Sequence, residues 1–264
     1  MLRKDKTFLQ NYTRAVQSEW LETNGLGGWG SSSIIGCNTR RYHGLLVAAT
    51  KPPTERTVLL SKLDETIVLN NERFELGVND YGEVISPDGN QYIKAFTKEL
   101  FPQWIYEVNG IQLRKTIAMI HGENTLVIVY DVVKAKKAFT MELLPLVAGR
   151  FYHSLQHAGE QMHWDVDFNN GQFHNKPDGK LDIYINIPGS AYRHEPRWFN
   201  NFNYSVEKYR GQDFVEDLFN HGIFSVQLKK GDSLGIIIST ENANGRDARV
   251  LLAKECLRRQ LLLN

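Results

Sequence analysis

The stretch WLETNGLGGWGSSSIIGCNTRRYHGLLVAA, residues 20–49, carries the most distinctive pattern of this chain. Its first half is rich in glycine, and its second half runs NTRRYH at residues 38–43 before turning apolar. Glycine lets a backbone adopt positive φ or approach a ligand closely, and loops of this kind carry function more often than core strands do. Arginine, asparagine and histidine supply hydrogen bonds for hydroxyls, while tyrosine and tryptophan supply flat apolar faces. The stretch therefore predicts a sugar-binding loop.

A nucleotide site is the main alternative, because residues 25–30 match the pattern G-x-G-x-x-G. A dinucleotide fingerprint needs a strand before it, a helix after it and an acid about 20 residues later. The polar residues 19–24 do not indicate a buried strand, residues 31–36 begin poorly as a helix, and Asp64 comes too late. A P-loop would need lysine in place of Ser31, and the sequence has no HRD or DFG motif of a kinase. We therefore predict no nucleotide and no other cofactor.

Composition and charge narrow the class of protein. The 264 residues are 42% hydrophobic, which is ample for the core of one large β domain. Because the formal net charge is +1 with both signs interspersed, we expect neither nucleic acid nor a membrane as a partner. Residues 1–17 are polar and basic, unlike a signal peptide, and no run approaches the roughly 20 apolar residues of a membrane span. Cys37 and Cys256 lie far apart in the sequence, which fits a reducing cytoplasm.

Turn residues between short apolar runs indicate an antiparallel sheet. Asn109-Gly110 is the strongest hairpin pattern in the chain, and Asn70-Asn71 predicts a second hairpin. Residues 223–228 and 233–239 predict a last hairpin across residues 229–232. Residues 193–219 mix aromatic with charged side chains, which predicts a long excursion without strand structure. Consecutive hairpins of this kind exclude a βαβ fold.

The C-terminal segment, residues 246–263, predicts the one clear helix. Val250, Leu251, Ala253, Leu257 and Leu261 recur at helical spacing. An acid at residue 247 favours a helix N-terminus there. The apolar end of this helix leads us to expect a further segment after it.

Two spaced blocks carry a family resemblance. Residues 19–28 (EWLETNGLGG) and 36–48 (GCNTRRYHGLLVA) together resemble the N-terminal domain of bacterial and archaeal glycogen debranching enzymes, the amylo-α-1,6-glucosidases. Residues 53–56, 63–65, 145–153 and 204–218 extend the resemblance over nearly the whole chain. Where the family has Arg-Asp-Phe-His, this chain has Arg-Phe-Tyr-His at residues 150–153.

The resemblance implies a mainly β fold, a large antiparallel two-sheet sandwich over residues 1–244. Residues 245–264 would form a helical linker towards an (α/α) barrel, which carries the two catalytic carboxylates of the inverting family. The chain would then be the N-terminal domain alone. It would position α-glucan (glycogen or limit dextrin) for hydrolysis of α-1,6 branch points, with the barrel in cis or as a separate chain. No catalytic residue is expected in this chain, and whether it is an enzyme by itself stays open.

Twelve residues are candidates for contact with glucan, most of them within the opening stretch. Adjacent arginines on an extended segment point apart, so we expect one to face the site while its neighbour pairs with an acid. We expect the histidine at position 43 to be packed and hydrogen-bonded, and not to act as a general base. The candidates are Trp20, Asn24, Trp29, Asn38, Arg40, Arg41, Tyr42, His43, Trp198, Tyr204, Glu216 and Asp217.

Two further functions remain open, and a metal site is not expected. His153, His157 and His163 lack a well-placed third ligand, so we predict no metal. A stand-alone mutarotase or epimerase would need a convergent histidine and carboxylate, with His43, His153 or Glu207 as candidates. A purely architectural domain would make no sugar contact at all.

Overall fold

Two large antiparallel β-sheets face each other across one apolar core, and a helix packs on the outside. The structure, a computed structural model, describes residues 2–52, 54–159 and 165–263. The sheets confirm the predicted mainly β, antiparallel two-sheet sandwich with a C-terminal helix. Among the described helices, none has the length and apolar character that a bilayer crossing requires.

The strands and helices of the described residues follow in chain order. The strands are β1 (Leu2–Asp5), β2 (Glu19–Thr23), β3 (Trp29–Ser33), β4 (Gly44–Lys51), β5 (Glu55–Leu69), β6 (Glu72–Glu75), β7 (Val78–Asp80), β8 (Ile85–Asp88), β9 (Ile93–Lys98), β10 (Pro102–Val108), β11 (Ile111–Met119), β12 (Thr125–Lys134), β13 (Phe139–Phe151), β14 (Asp167–Asn169), β15 (Gln172–Asn175), β16 (Ile183–Asn186), β17 (Ala191–Asn203), β18 (Val215–Leu228) and β19 (Ser233–Ser239). The helices are α1 (Lys6–Gln10), α2 (Tyr12–Ala15), α3 (Ser205–Tyr209) and α4 (Ala248–Leu261), with a 3₁₀ turn at Gly89–Tyr92.

Strand order places β2 at an edge. One sheet runs β1-β9-β10-β11-β12-β19-β16-β15-β14. The other runs β17-β18-β13-β5-β4-β3-β2, with β6 paired to β5, and β7 with β8 forms a small separate ribbon. The glycine-rich stretch thus forms the β2–β3–β4 side of the second sheet.

The core lies between the sheets. Leu46 and Leu60 of one sheet and Leu113, Ile128 and Ile236 of the other belong to the same buried cluster. Burying such a side chain contributes about 1.5–3 kcal/mol. Neighbouring residues of β12 point to the opposite face, where α4 covers them, so this strand is apolar on both sides.

Two of the three predicted hairpins are confirmed, and each of their turns places asparagine or glycine at positive φ. Asn109 and Gly110 have φ of 42° and 81° and join β10 to β11. Asn70 and Asn71 have φ of 51° and 66° and join β5 to β6. Positive φ at both central residues is the requirement of a type I′ turn, whose twist matches paired strands.

Two sequence predictions about strands were wrong. Residues 193–219 are not an excursion, because β17 and the start of β18 pair there over most of their length. Bulges in β17 and its exposed, charged outer face hide the two-residue alternation. Residues 223–228 and 233–239 are strands but not a hairpin, since β18 pairs with β13 and β17 while β19 pairs with β12 and β16. Residues 19–23, for which the sequence indicated no buried strand, form an edge strand in which Trp20 and Glu22 are buried while Glu19, Leu21 and Thr23 are exposed.

The predicted C-terminal helix is confirmed as α4, with a different buried face. Asp247 Oδ1 accepts hydrogen bonds from the backbone N–H of Arg249 at 2.8 Å and of Val250 at 3.2 Å, which fixes the start. Leu251, Leu252 and Cys256 pack on the nine-stranded sheet, whereas Val250, Leu257 and Leu261 of the predicted face are exposed. In this orientation Arg259 donates to the Leu100 carbonyl oxygen and to Glu22 of β2.

Candidate functional site

A groove of about 530 Å³ lies along the β2–β3 side of the sandwich. Five of the predicted residues line it, namely Trp20, Trp29, Arg40, Tyr42 and His43. Glu19 and Arg56, which were not among the predicted residues, line it as well. The groove therefore gathers aromatic rings, both charge signs and the glycines of the β2–β3 turn.

Asn24 organises the glycine turn. Its Oδ1 accepts from the backbone N–H of Leu26 at 2.9 Å and of Gly28 at 3.0 Å. A Cβ at residue 28 would lie 2.7 Å from the Asn24 amide nitrogen and 2.8 Å from the carbonyl oxygen of Val47, so only glycine fits. Asn24 is fully buried and does not itself line the groove, whereas the glycines of its turn do.

Trp29 and Tyr42 form the aromatic wall of the groove. The Trp29 indole N–H donates to the backbone oxygen of Tyr42 at 2.9 Å, which fixes one ring against the neighbouring loop. Tyr152 meets the Trp29 ring edge-on at 5.9 Å. The Arg56 guanidinium lies 5.5 Å from the Trp29 and from the Tyr152 ring centre, and its Nε donates to Gly27 O at 2.6 Å. Both rings of the wall stay half-buried and thus half-accessible.

An ion-pair network at the start of β2 places charged groups along the groove. Arg40 Nε donates to Glu19 Oε1 at 2.7 Å, and His43 Nε2 lies 3.5 Å from the same oxygen. Burial raises the pKa of Glu19, but hydrogen bonds from His43 and Arg40 outweigh it and lower this pKa to about 2. Burial lowers the pKa of His43, although Glu19 opposes this shift. Since His43 Nδ1 accepts from Thr39 N at 3.0 Å, the neutral ring carries its proton on Nε2, facing Glu19.

Arg41 points away from the groove, into the body of the domain. It donates to the backbone oxygens of His153 and Asp213, both at 2.9 Å, and its Nε lies 3.5 Å from Glu207 Oε2. Both adjacent arginines thus pair with an acid, whereas the sequence predicted this of one. Tyr42 OH and His153 Nδ1 are 3.1 Å apart, so the loop is fastened on this side too.

The other predicted residues lie outside the groove. Asn38 is buried and bonds to Ser32 Oγ at 2.8 Å and Ser61 Oγ at 3.1 Å. Trp198 is half-buried and packs edge-on against Phe219 at 5.1 Å. Neither side chain lines the groove.

Tyr204, Glu216 and Asp217 are buried and do not line the groove. Glu216 is fully buried and accepts from Arg150 and Tyr204 as well as from Gln156 N at 3.1 Å. Desolvation by burial raises the pKa of Tyr204 well above its usual value, and Glu216 adds to the shift. Asp217 accepts from the backbone N–H groups of Ala158 at 2.8 Å and Asn201 at 2.7 Å, which fixes one loop and the bulged part of β17 to β18.

Histidines and carboxylates of this chain do not gather into a metal centre in the part that the structure describes, where no group of three potential ligands occurs. His153 is engaged with Tyr42, and His157 is exposed. His163 lies outside the described residues. The groups that a stand-alone epimerase would need also have partners within the domain. His43 Nδ1 accepts a hydrogen bond from Thr39 N, and Glu207 pairs with Arg41.

Fold and groove together define a large antiparallel β-sandwich domain with a groove along its β2–β3 side. The chain belongs to the family described as "Glycogen debranching enzyme N terminal", whose model matches residues 18–235. No curated protein matches the chain significantly.

One similar solved structure is that of a bacterial glucoamylase complexed with acarbose. It shares 9% identity over 90% of this chain and 34% of the glucoamylase chain, with a TM-score of 0.44. The chain thus spans about a third of the length of that glucoamylase.

Proposed function

We propose that this domain holds an α-glucan chain in the groove and presents it to the catalytic part of a glycogen debranching enzyme. The observation that carries the proposal is the aromatic wall of Trp29 and Tyr42 beside the ion-paired Glu19 and Arg40. Membership in the glycogen debranching enzyme N-terminal family supports α-glucan as the substrate class.

The chemistry of the groove suits a neutral sugar. A pyranose ring stacks an apolar face on an aromatic ring while its hydroxyls bond to charged groups at the edge. Arg40 and Glu19 hold each other in place, so each presents its remaining donors or lone pairs without conformational cost. The charges of Arg40 and Glu19 offset each other, while Arg56 is held against the Trp29 and Tyr152 rings and Gly27 O.

The groove is proposed to bind and not to hydrolyse. Glycoside hydrolysis requires a carboxylic acid and a second carboxylate on either side of the bond. Among the described residues that line the groove, the one carboxylate is Glu19. Its pKa of about 2 keeps it ionised near neutral pH, so it has no proton to give to a leaving oxygen.

The catalytic carboxylates are accordingly assigned to an (α/α) barrel, in cis or as a separate chain. The whole enzyme would hydrolyse α-1,6 branch points during glycogen breakdown in the cytoplasm. In this arrangement the groove completes the rim of the active site and sets which glucan branch reaches it.

Calorimetric titration with a branched malto-oligosaccharide tests the proposal. We expect saturable binding by the wild-type chain and at least about tenfold weaker binding by Trp29→Ala, a loss of about 1.4 kcal/mol. Trp198→Ala is the matched control, because Trp198 is a half-buried tryptophan outside the groove. No saturable binding by wild type at millimolar sugar, or equal weakening by both variants, would show that the domain is architectural.

A further inference from the structure

A second, interior space lies between the two sheets, next to the groove. It is a cavity of about 40 Å³ whose lining residues are buried except for Gly36 and Asp64, which are half-buried. A Cβ at Gly36 would meet no atom within 4 Å, so there is open space at this residue. The cavity therefore opens to solvent beside Gly36 and Asp64.

The charged side chains that line the cavity form two ion pairs. Lys115 Nζ donates to Glu65 Oε1, and Tyr130 OH donates to the same oxygen at 2.6 Å. Lys62 Nζ lies 3.3 Å from Asp64 Oδ1. Because two ammonium groups face two carboxylates in a buried space, an ionic ligand would leave an uncompensated charge there. The cavity fits an uncharged ligand.

Trp20 supplies an unused hydrogen-bond donor at this cavity. Its side chain is buried, at 3% exposure, and the ring is held edge-on against Trp104 at 5.6 Å. Among the residues that the structure describes, none accepts a hydrogen bond from the Trp20 indole N–H. A buried N–H without an acceptor is costly, so this group favours a ligand oxygen in the cavity.

Size and polarity together select the ligand. A water molecule needs about 10–15 Å³ of such volume, so the cavity holds about three hydroxyl-sized groups. Lysine and indole groups donate hydrogen bonds, whereas Glu65 and Asp64 accept them, and a hydroxyl does both. A short polyol of two or three carbons, whose bonded atoms take less room than separate water molecules, satisfies these conditions in one molecule.

We propose that the cavity between the sheets binds a small neutral polyol of the size of glycerol, anchored by the Trp20 indole N–H and the Lys115–Glu65 pair. This site is separate from the groove and does not depend on the function assigned there. Trp20 lies in the wall between the two, since it lines both.

The test uses the full chain with ¹⁵N-labelled tryptophan and glycerol as the probe. We expect saturable nuclear Overhauser cross-peaks between the glycerol C–H protons and the Trp20 indole N–H. Trp20→Phe, which removes the donor and keeps a ring, should weaken glycerol binding at least tenfold. Trp29→Phe is the matched control, because the Trp29 N–H is already bonded to Tyr42 O, and it should bind glycerol as wild type does.

A size series on the wild-type chain keeps the proposal testable if Trp20→Phe does not fold. Ethylene glycol and glycerol should give the Trp20 cross-peaks, whereas glucose should give none because it exceeds the cavity. Cross-peaks to water alone at every glycerol concentration would overturn the proposal and make the cavity a hydration site. Equal cross-peaks from glucose would also overturn it, since they would come from the open groove.

Discussion

Arg56 determines the shape of the groove although it follows the glycine turn by almost thirty residues. Its Nε bonds to Gly27 O, and its guanidinium covers the half-buried rings of Trp29 and Tyr152. An arginine in this position joins the turn to the aromatic wall through one planar group. The rigidity of the wall therefore depends on a side chain of β5 and not on the turn alone.

His43 and Glu19 give the loop a pH-dependent stability. Unfolded histidine takes up a proton as the pH falls below about 6.5, whereas folded His43 stays neutral because burial lowers its pKa. The unfolded state then binds more protons, so the free energy of unfolding falls between about pH 7.5 and 5.5. Glu19, with a folded pKa of about 2, adds a second loss between about pH 5 and 2.

Urea unfolding at pH 7.5 and 5.5 measures the first loss. We expect His43→Gln to flatten this pH dependence, each unit of pKa difference being worth about 1.4 kcal/mol. His157→Gln is the control, because His157 is exposed, and it should keep the wild-type slope. An unchanged slope in His43→Gln would contradict the assignment.

At the level of elements, β2 serves three parts of the molecule. Glu19 faces the groove network, Trp20 the interior cavity and Glu22 the helix α4. The alternation of side chains along a strand makes this possible over four residues. A shift of β2 by one residue would therefore disturb all three contacts together.

Arg259 fastens α4 to β2 through buried acids. Its guanidinium bonds to Glu22 at 2.6 Å, to Glu255 at 2.8 Å and to the Leu100 oxygen at 2.7 Å. Burial raises the pKa of Glu22, although Arg259 opposes this shift. Arg259→Met keeps the length of the side chain but leaves Glu22 with Lys98 alone, at 3.8 Å and beyond hydrogen-bonding distance, so we expect a loss of about 3 kcal/mol in the free energy of unfolding at neutral pH.

The control for this change is Arg249→Met on the exposed side of the same helix. Its partner Asp247 is 43% exposed, so we expect a loss below about 1 kcal/mol. Adding Glu22→Gln to Arg259→Met should recover part of the stability, because it removes the unpaired charge. Equal losses in the two single variants, measured by urea unfolding, would mean that the buried link does not stabilise the helix.

At the scale of the whole molecule, local chemistry predicts much of the architecture. The turn at Asn109-Gly110 needs only two residues that tolerate positive φ, so its sequence pattern is sufficient. Asp247 caps α4 by bonding to its own neighbours, which the sequence shows directly. The glycine stretch indicates the groove for the same reason, since Asn24 and Gly28 interact within five residues.

Contacts between distant segments were not predictable from the sequence. Arg56 reaches the groove because β5 pairs with β4, and no local pattern distinguishes it from other arginines. The buried face of α4 follows from Glu22, which is more than two hundred residues earlier. The sequence made Glu216 a candidate for contact with glucan. In the structure it pairs with Arg150 of β13 in the core, a contact between distant segments.

The hydrogen bonds that hold the glycine turn between β2 and β3 affect how often this turn opens. Asn24 bonds to Glu123 O at 2.9 Å and to Asn124 at 3.0 Å, and Asn124 in turn bonds to the Ala49 N–H at 2.9 Å and its carbonyl oxygen at 2.8 Å. The turn is therefore tied to both sheets and opens only when they separate. We expect the Gly28 amide to exchange with deuterium as slowly as that of Ile128 in the core, while the Gly189 turn amide exchanges fast.

Fast exchange at Gly28 would show that the turn opens locally instead. Slow exchange would mean that the groove spends its time in one shape, from the first encounter with a sugar to its departure. The lifetime of a bound sugar would then depend on the strength of its contacts and not on the closing of a loop. A glucan would arrive at a finished surface, and it could slide along it without waiting for the protein to move.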